Sequence, residues 1–280
     1  MKSVVIYDYF KEAEIRPQHL QKEYLAKIQK DVEAFLSDEK QFSVVACPAC
    51  GSKESSRSFT KFQRFVYRSC AQCESIYVSP RPSRTQLEKF YSQAESVQFW
   101  RSRFLSETKN TRWEHQQAGR QQWVEEMCAV YNVAPANALE AFDVLDNAHD
   151  PQALVQEYAK KLPATGLLFL SCTSSVGADI QLLWENNERI CPPDHLNLFS
   201  PEGLELVLKR HGFELIELST PGQLDVDILL NHIKNHPSHT LPPLLQYILT
   251  KRGQEAHRGL QEFLQHYRLS SFMRAVARKT

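Results

Sequence analysis

The chain has 280 residues, 42% of them hydrophobic, and its 33 basic residues balance 33 acidic residues. Because the net charge is zero, the chain has no general attraction for nucleic acid or for an anionic membrane. No apolar run approaches the roughly 18 residues that a bilayer-spanning helix needs, so no membrane partner is expected. The opening sequence MKSVVIYDYFKEAEIRP carries charges where a signal peptide has an apolar core. We therefore expect a cytoplasmic protein.

The first 134 residues divide into three segments of different character. We predict an N-terminal helical segment over residues 1–41, because apolar residues recur about once per helical turn between positions 16 and 37. Residues 42–82 combine four cysteines with short β-like stretches such as RFVYRS and SIYVS, which indicates a small ribbon. Residues 83–134 are rich in aromatic residues and contain no strand pattern, so we predict a helical connector.

Residues 135–280 alternate between strand and helix patterns. Strands are predicted at 138–146, over the run LLFLSC, over FELIEL and at 269–278. Asp150 and Ser200 each precede a proline, which is typical of an N-cap followed by the first helical position. Three further helices are predicted before the last strand. This succession favours an α/β architecture with a parallel sheet.

Two CxxC pairs carry the strongest chemical signal. Cys47 and Cys50 form the first pair, Cys70 and Cys73 form the second, and residues 51–69 separate them. This spacing is typical of a paired zinc knuckle, in which four thiolates complete a tetrahedral shell. A shell closed by four protein ligands leaves no position for a reactive water, so we expect a structural zinc. The alternative is two unrelated buried or redox-active pairs, and a redox CxxC would need a βαβ context that the pattern does not show.

The segment between the knuckles is basic and aromatic. It contains Lys53, Arg57, Lys61, Arg64 and Arg68, with a single acid and four aromatic residues. Such a ribbon can bind single-stranded nucleic acid by stacking and by phosphate contacts. The alternative is a small domain whose aromatics form its core and whose basic residues keep it soluble. The neutral charge of the whole chain favours this second interpretation.

The sequence resembles class I S-adenosylmethionine-dependent methyltransferases that carry an N-terminal zinc ribbon. Three blocks support the resemblance. They are CPACGS with YRSCAQCESIYVSPRPS, then AFDVLDNAHDPQALVQEYAKKLPATGLLFLSC, then PPDHLNLFSPEGLELVLKRHGFELIELSTPGQLDVDIL. The second and third blocks, with the closing LSSFMRAVARK, are similar to the fourth to seventh strands of the family. The resemblance implies S-adenosylmethionine as cofactor and a small molecule or a saccharide as methyl acceptor.

The chain departs from the family at the cofactor loop. Such enzymes place a glycine-rich turn after the first strand, because only glycine lets the backbone approach the cofactor. Here the closest glycines, Gly253 and Gly259, are six residues apart, so no GxG exists. The missing strands and helices amount to about 60 residues, at about 30 per βαβ unit. We therefore expect a truncated Rossmann-like sheet in the region 135–280, which forms a partial methyltransferase-like domain.

The truncation leaves the predicted strand 138–146 without its usual neighbour. An open apolar edge invites pairing with another chain. We expect either that the helices of 83–132 cover this edge or that two copies pair there as a homodimer.

His195 is the candidate catalytic residue. The resemblance places Pro192–Leu196 near the acceptor site, where a histidine with a pKa near the working pH can act as a general base. The alternative is a histidine that only holds the loop, with Asp194 orienting it or lying in solvent. Asp143 and Asp146 can face the cofactor cleft, but without a cleft we expect them in solvent. Three further histidines, at positions 232, 236 and 239, can form a metal site or a solvated helix end, and Pro237 favours the second.

Three functions remain open at this level. The first is methyl transfer from S-adenosylmethionine, which the resemblance favours and against which the missing loop argues. The second is a non-catalytic interaction or scaffold protein. The third, a nucleic-acid-binding zinc ribbon, rests only on the basic stretch 53–68.

Overall fold

The structure, a computed structural model, describes residues 11–280. The helices are α1 Glu12–Ile15, α2 Gln18–Phe35, α3 Arg84–Gln93, α4 Glu95–Phe99, α5 Leu105–Arg112, α6 Ala118–Val130, α7 Pro151–Lys161, α8 Ala178–Leu183, α9 Pro201–Arg210, α10 Asp225–Asn235, α11 Pro243–Lys251 and α12 Gln254–His266. The strands are β1 Ser55–Lys61, β2 Phe65–Cys70, β3 Ile76–Val78, β4 Ala138–Phe142, β5 Leu167–Thr173, β6 Asn197–Leu198, β7 Phe213–Ser219 and β8 Phe272–Lys279. None of the helices between residues 11 and 280 combines the length and the hydropathy that a bilayer crossing requires.

The first sheet joins the cysteine ribbon to a distant part of the chain. Its strands run in the order β1-β2-β3-β6, all antiparallel. Strand β6 contributes two residues that follow His195, and Leu198 pairs with Ile76. Phe65 and Tyr67 are buried with Leu20 of α2 in one apolar core. The aromatic residues of the ribbon therefore form a core, as the second interpretation of that segment predicts.

The second sheet contains the four strands whose sequences are similar to the fourth to seventh strands of the family. Their order is β4-β5-β8-β7, with β4 parallel to β5 and with β8 antiparallel to both of its neighbours. In β5, Leu168 and Leu170 face α7 and α9, whereas Leu167 and Phe169 face α6. The sheet is thus covered on both faces, which explains the continuous apolar run in β5. The truncated Rossmann-like sheet predicted from the sequence is confirmed.

Local signals set most of the element boundaries. The Asp150 side chain accepts a hydrogen bond from the Ala153 N–H at 3.0 Å, and Ser200 accepts one from the Gly203 N–H at 2.8 Å. Both predicted N-caps are therefore confirmed. Strand β4 ends at Phe142, four residues before the predicted boundary at 146. Its end is set by Asp143, which has a positive φ of 56° that a strand residue cannot adopt.

The connector before β4 is helical, as predicted. After a break at Ala94 the chain is one long helix from Glu95 to Val130, interrupted by π turns at Trp100–Phe104 and Trp113–Gln117. Its last part packs Trp123 against Phe142 and Phe169 of the sheet, with ring centroids 6.4 and 5.3 Å apart. Within the described residues β4 pairs with β5 only. The connector therefore covers a face of β4 and leaves its outer backbone edge without a strand.

Candidate functional site

The first sheet brings the four predicted metal ligands together. The sulfur atoms of Cys47, Cys50, Cys70 and Cys73 all lie within 4.8 Å of one another. The Sγ atoms of Cys47 and Cys73 are 3.6 Å apart, and those of Cys50 and Cys70 are 3.4 Å apart. Four sulfurs at about 2.3 Å from a tetrahedral zinc ion are separated by about 3.8 Å, so this donor set fits zinc. A zinc ion held by these thiolates would cross-link the two knuckles.

Both knuckles have the same backbone geometry. In the first, the Cys47 N–H donates to Ser52 O at 2.8 Å and the Gly51 N–H donates to Cys47 O at 2.9 Å. In the second, the Cys70 and Glu74 N–H groups form the equivalent bonds at 2.9 and 3.1 Å. Gly51 has a φ of 85° and Glu74 a φ of 58°. Glycine adopts this region without a steric penalty, so Glu74 is the strained residue of the pair.

The cysteine cluster lies at the junction between the two sheets. Cys47, Cys70 and Cys73 are buried in the same apolar core as Leu204 and Val207 of α9. Loss of a metal here would disturb the packing of α9 as well as the ribbon.

The start of α9 contacts the second knuckle directly. The Ser200 hydroxyl donates to Cys73 O, and the Ser75 Oγ lies 3.3 Å from the Ser200 Oγ. A Cβ atom on Gly203 would clash with the Ser75 Oγ, so this close approach requires a glycine. The helix N-terminus and the knuckle are therefore parts of one packed unit.

Arg81, directly after the ribbon, forms a second link between the two sheets. It is 2% exposed, and its guanidinium donates to His149 O at 2.6 Å, to Asn197 Oδ1 at 3.0 Å and to Val78 O at 3.3 Å. Burial lowers the pKa of Arg81 to about 10, so it stays charged at neutral pH. Asn197 continues the link, because its Nδ2 donates to Leu145 O at 2.9 Å.

Most of the basic side chains between the knuckles contact other residues of the protein. Four of the five make such contacts: Arg57 with the Trp184 ring, Lys61 with Asn187 O, Arg64 with Glu33 and Arg68 with Ser79 O. Burial also lowers the pKa of Lys61. These contacts give the basic residues structural roles and leave few of them to contact phosphates.

A cavity of about 600 Å³ lies at the carboxyl ends of β4 and β5. Asp143 and Asp146 follow β4 and form part of its wall, together with Ser171, Cys172 and Thr173 of β5. The other walls come from α2, the long helix of the connector, the loop 188–195 and the start of α10. Open α/β sheets bind their ligands at this end. The cavity is therefore the candidate ligand site.

Aromatic residues and both π turns line one side of the cavity. Tyr24, Tyr91 and Trp100 provide an apolar wall. Trp100 belongs to the first π turn, and His115 of the second π turn also lines the cavity. π turns inside α-helices occur frequently at functional sites.

Asp146 is not in solvent, and the expectation from the sequence is wrong for this residue. It is 6% exposed, and its carboxyl group accepts hydrogen bonds from the Thr173 hydroxyl at 2.8 Å and from the Thr173 N–H at 3.0 Å. Burial, and next the charge of Asp143, raise the pKa of Asp146 to about 8. Asp143 itself is half exposed and forms an ion pair with Arg120 at 2.6 Å. The connector helix creates the cleft that the sequence pattern did not reveal.

His195 lies in the wall of the cavity. Its Nδ1 accepts a hydrogen bond from the Cys191 N–H at 3.4 Å, which leaves the proton of the neutral ring on Nε2. Burial, and next the charge of Arg189, lower the pKa of His195 to about 4. The imidazole is therefore neutral at pH 7 and a weaker base than its residue type indicates.

Asp194 does not orient His195, nor is it solvated. Its carboxylate accepts a hydrogen bond from the Tyr24 hydroxyl of α2. Burial raises the pKa of Asp194 to about 6. This contact joins the loop 188–195 to the N-terminal helix and closes one side of the cavity.

The three histidines near the end of α10 do not form a metal site in the structure. The Nε2 of His232 lies 2.7 Å from the Nδ1 of His239, whereas His236 contacts Glu188 at 3.3 Å. Among residues 11–280, only the four cysteines place three or more ligand side chains close enough for one metal ion. His232 is also buried, so a fully solvated helix end is wrong for this residue.

The residues present do not fit S-adenosylmethionine as the family binds it. Gly119 is the only glycine between positions 52 and 165, and it lies inside α6 rather than in a turn after a strand. Strand β4 is the first strand of the second sheet along the chain, and the described residues contain no earlier strand of this sheet whose end could carry a glycine-rich loop.

Comparison with known proteins shows which family and which solved structures the chain is similar to. The profile of the methyltransferase domain family matches residues 50–218. The crystal structure of the cyclase SpnF is 16% identical over 51% of this chain and 49% of its own, with a TM-score of 0.28. A putative sarcosine dimethylglycine methyltransferase from Galdieria sulphuraria is 16% identical over 51% of this chain and 53% of its own, with a TM-score of 0.29.

The chain thus spans about half the length of each of these two structures. No curated protein matches the sequence. The family profile covers more than half of the chain, from the first knuckle to the end of β7. The chain therefore belongs to the methyltransferase domain family.

Proposed function

We propose that this chain is a non-catalytic member of the methyltransferase family, in which the cavity binds a small molecule and no methyl group is transferred. The observation that carries the proposal is the start of the second sheet. Strand β4 follows the helical connector directly, and no glycine-rich turn precedes it. The acceptor side of the fold is retained as a cavity, and the cofactor side is absent from the described sheet.

The cavity supports binding of a small molecule or a saccharide. Its volume of about 600 Å³ lies within the range of ligand sites, about 300–1,000 Å³. Its walls combine aromatic rings with buried polar groups, and this combination gives both affinity and orientation. In this proposal, the interaction partner of the protein is the small molecule or saccharide that binds in the cavity.

A titration with S-adenosylmethionine and with its homocysteine product tests the loss of catalysis. We expect no heat by calorimetry and no shift in melting temperature at millimolar ligand. A cooperative thermal melting transition of the same sample shows that the protein is folded. Micromolar binding of either compound would overturn the non-catalytic proposal.

Methyl transfer is the second candidate function, favoured by the position of His195 in the cavity wall. A neutral His195 can accept a proton from an acceptor hydroxyl, although its lowered pKa makes it a weak base. If the titration detects cofactor binding, His195→Ala separates the two roles. If His195 is the general base, His195→Ala loses turnover and keeps its affinity for the cofactor. If the role of His195 is purely structural, the substitution lowers both turnover and cofactor affinity.

The proposed metal is one structural zinc ion per chain, bound by the four cysteines. The closed set of four thiolates supports a structural role, because no coordination position remains for water. None of the seven cysteines forms a disulfide in the described residues, which supports the proposed cytoplasmic location, since thiols persist in a reducing compartment.

The outer edge of β4 supports a proposed homodimer. Two copies can pair along Ala138–Phe142, because the backbone of this edge strand has one partner only in the described residues. Light scattering tests the proposal. A dimeric mass with slow hydrogen exchange in residues 138–142 supports it, and a monomeric mass overturns it.

A further inference from the structure

We propose that the cavity binds the oxyanion of a small molecule, a carboxylate or a phosphate group, through Arg16, Arg112 and Arg189. The inference rests on the proposed function, since it names the chemical class of the ligand in that cavity. The three residues come from the end of α1, the end of α5 and the loop 188–195. All three line the cavity.

Two of these guanidinium groups have atoms without a hydrogen-bond acceptor. The Nη1 of Arg16 and the Nε of Arg189 are buried, and neither has a hydrogen-bond partner among the described residues. Glu12 Oε1 lies 3.6 Å from the Arg16 Nη1, which is too long for a hydrogen bond. Buried donors normally have acceptors, so these two atoms indicate a missing acceptor. The Oδ1 of Asp179, the carboxylate paired with Arg189, is also buried without a partner among the described residues and indicates a missing donor beside it.

The local charge is unbalanced in the same place. Arg112 and Arg189 both act on Arg16, and the carboxylates that act on Arg16 are Glu12 and Asp179. Around Arg16, three positive charges therefore face two negative charges. Burial, and next the charge of Arg189, lower the pKa of Arg16 to about 9. An anion bound among the three groups would neutralise the excess charge and provide the missing acceptors.

Two other acids of the cavity wall contribute little negative charge to this group. Asp143 is paired with Arg120, and the raised pKa of Asp146 keeps its carboxyl group mostly protonated at pH 7. Asp225 does act on Arg189, and its oxygens also accept hydrogen bonds from Ser270, Ser271 and Gln261.

Arg112 is held in place before any ligand binds. Its Nη2 donates to Ile15 O at 2.8 Å and its Nε to Thr108 Oγ1 at 2.9 Å. The same guanidinium lies over the Trp100 ring, 5.4 Å from its centroid. A guanidinium fixed in this way is suited to an oxyanion, because a planar fork matches carboxylate and phosphate geometry. The adjacent Trp100 and Tyr24 favour a ligand with a ring beside its anionic group.

Calorimetry with three probes tests the inference: phenyl phosphate, benzoate and benzyl alcohol. The probes share a ring and differ in the attached group. We expect one or both anions to bind at least about tenfold more tightly than the alcohol, because charge-assisted hydrogen bonds are the strong ones. The tighter of the two anions identifies the oxyanion. Anions that bind no better than benzyl alcohol would overturn the inference.

Arg16→Gln removes the guanidinium with the unpaired donor, and Arg258→Gln on the exposed side of α12 is the matched control. Arg16→Gln should weaken anion binding about tenfold or more, while the control leaves it unchanged. Equal affinities of the two variants would overturn the inference. Should Arg16→Gln not fold, phenylglyoxal labelling of the wild-type protein replaces it. Phenyl phosphate must then protect Arg16, Arg112 or Arg189, and absence of protection overturns the inference.

The two proposals fail separately. Micromolar binding of S-adenosylmethionine that is insensitive to Arg16→Gln overturns the non-catalytic function and leaves the anion site intact. If the protein binds neither the anionic probes nor S-adenosylmethionine, the anion site is overturned and the non-catalytic function is not.

Discussion

The cysteine cluster and the cavity are both buried groups of reactive side chains, but they differ in whether their donor atoms have partners within the group. The four sulfurs lie within 4.8 Å of one another and form a closed donor set. In the cavity, the Nη1 of Arg16 and the Nε of Arg189 have no acceptor within the described residues. A closed set is suited to holding the fold, whereas an unsatisfied set is suited to binding something else.

Cys70→Ser should have the largest effect of any single change, because it opens the closed set. We expect loss of the proposed zinc and a loss of more than roughly 4 kcal/mol in the free energy of unfolding, since structural zinc contributes folding energy directly. Metal analysis and thermal melting measure both. Cys128→Ala, in a buried cysteine of α6 outside the cluster, is the control. A Cys70→Ser protein with wild-type melting would show that the cluster is not structural.

Arg81→Ala tests whether the two sheets depend on each other beyond the cysteines. The change removes three hydrogen bonds from a buried guanidinium and leaves Asn197 without one of its partners. We expect a loss of about 3 kcal/mol by urea unfolding. Arg84→Ala, three residues further along the chain at the exposed start of α3, should stay within about 0.5 kcal/mol of wild type. Equal effects of the two substitutions would contradict the link.

The pH dependence of stability tests the protonated carboxyl group in the cavity. Between about pH 4 and the folded pKa of Asp146, about 8, the unfolded chain has lost this proton while the folded protein keeps it. Raising the pH in this window therefore favours unfolding. The lowered pKa of His195, about 4, acts in the opposite direction, but only up to its unfolded value of about 6.5.

From pH 6.5 to pH 8, Asp146 should therefore lower the free energy of unfolding by about 2 kcal/mol, at 1.4 kcal/mol per pH unit. Asp146→Asn should flatten this decline, measured by urea unfolding at both pH values. Glu205→Gln, in an exposed residue of α9, should retain it. An unchanged decline in Asp146→Asn would show that Asp146 is ionised at neutral pH.

Glu74→Gly should have the smallest effect and the opposite sign. Glu74 has a positive φ of 58° at the position that Gly51 occupies in the first knuckle. Glycine removes this strain but increases the entropy of the unfolded chain, so we expect a gain of about 0.5–1 kcal/mol. Thermal melting measures it, with Glu54→Gly in the exposed approach to β1 as the control. A destabilised Glu74→Gly protein would contradict the equivalence of the knuckles.

The sequence predicts the second sheet well because its signals are local. The N-caps at Asp150 and Ser200 act within three residues, and the run LLFLSC records burial on both faces of β5. The pairing of β6 with β3 was not predictable in this way. It joins Ile76 to Leu198, and two-residue strands have no periodicity that a pattern could show.

The site residues also divide into those that the local sequence predicts and those that it does not. The ligand spacing of Cys47, Cys50, Cys70 and Cys73 is visible in the sequence, because a knuckle needs two cysteines within one tight turn. Arg16, Arg112 and Arg189 have no shared motif, and no sequence signal could have selected them. The family resemblance indicates His195, and the structure places it in the cavity wall with a lower pKa than its residue type indicates.

The sequence by itself determined the knuckles, the four strands of the truncated sheet and the absence of a glycine-rich loop, since each depends on residues close together in the chain. Only the tertiary structure decided that the connector packs across β4, that a cavity remains beside it, and that three arginines from distant segments meet there. Burial and the balance of charge depend on which segments come together. They are therefore properties of the folded chain that no local pattern contains.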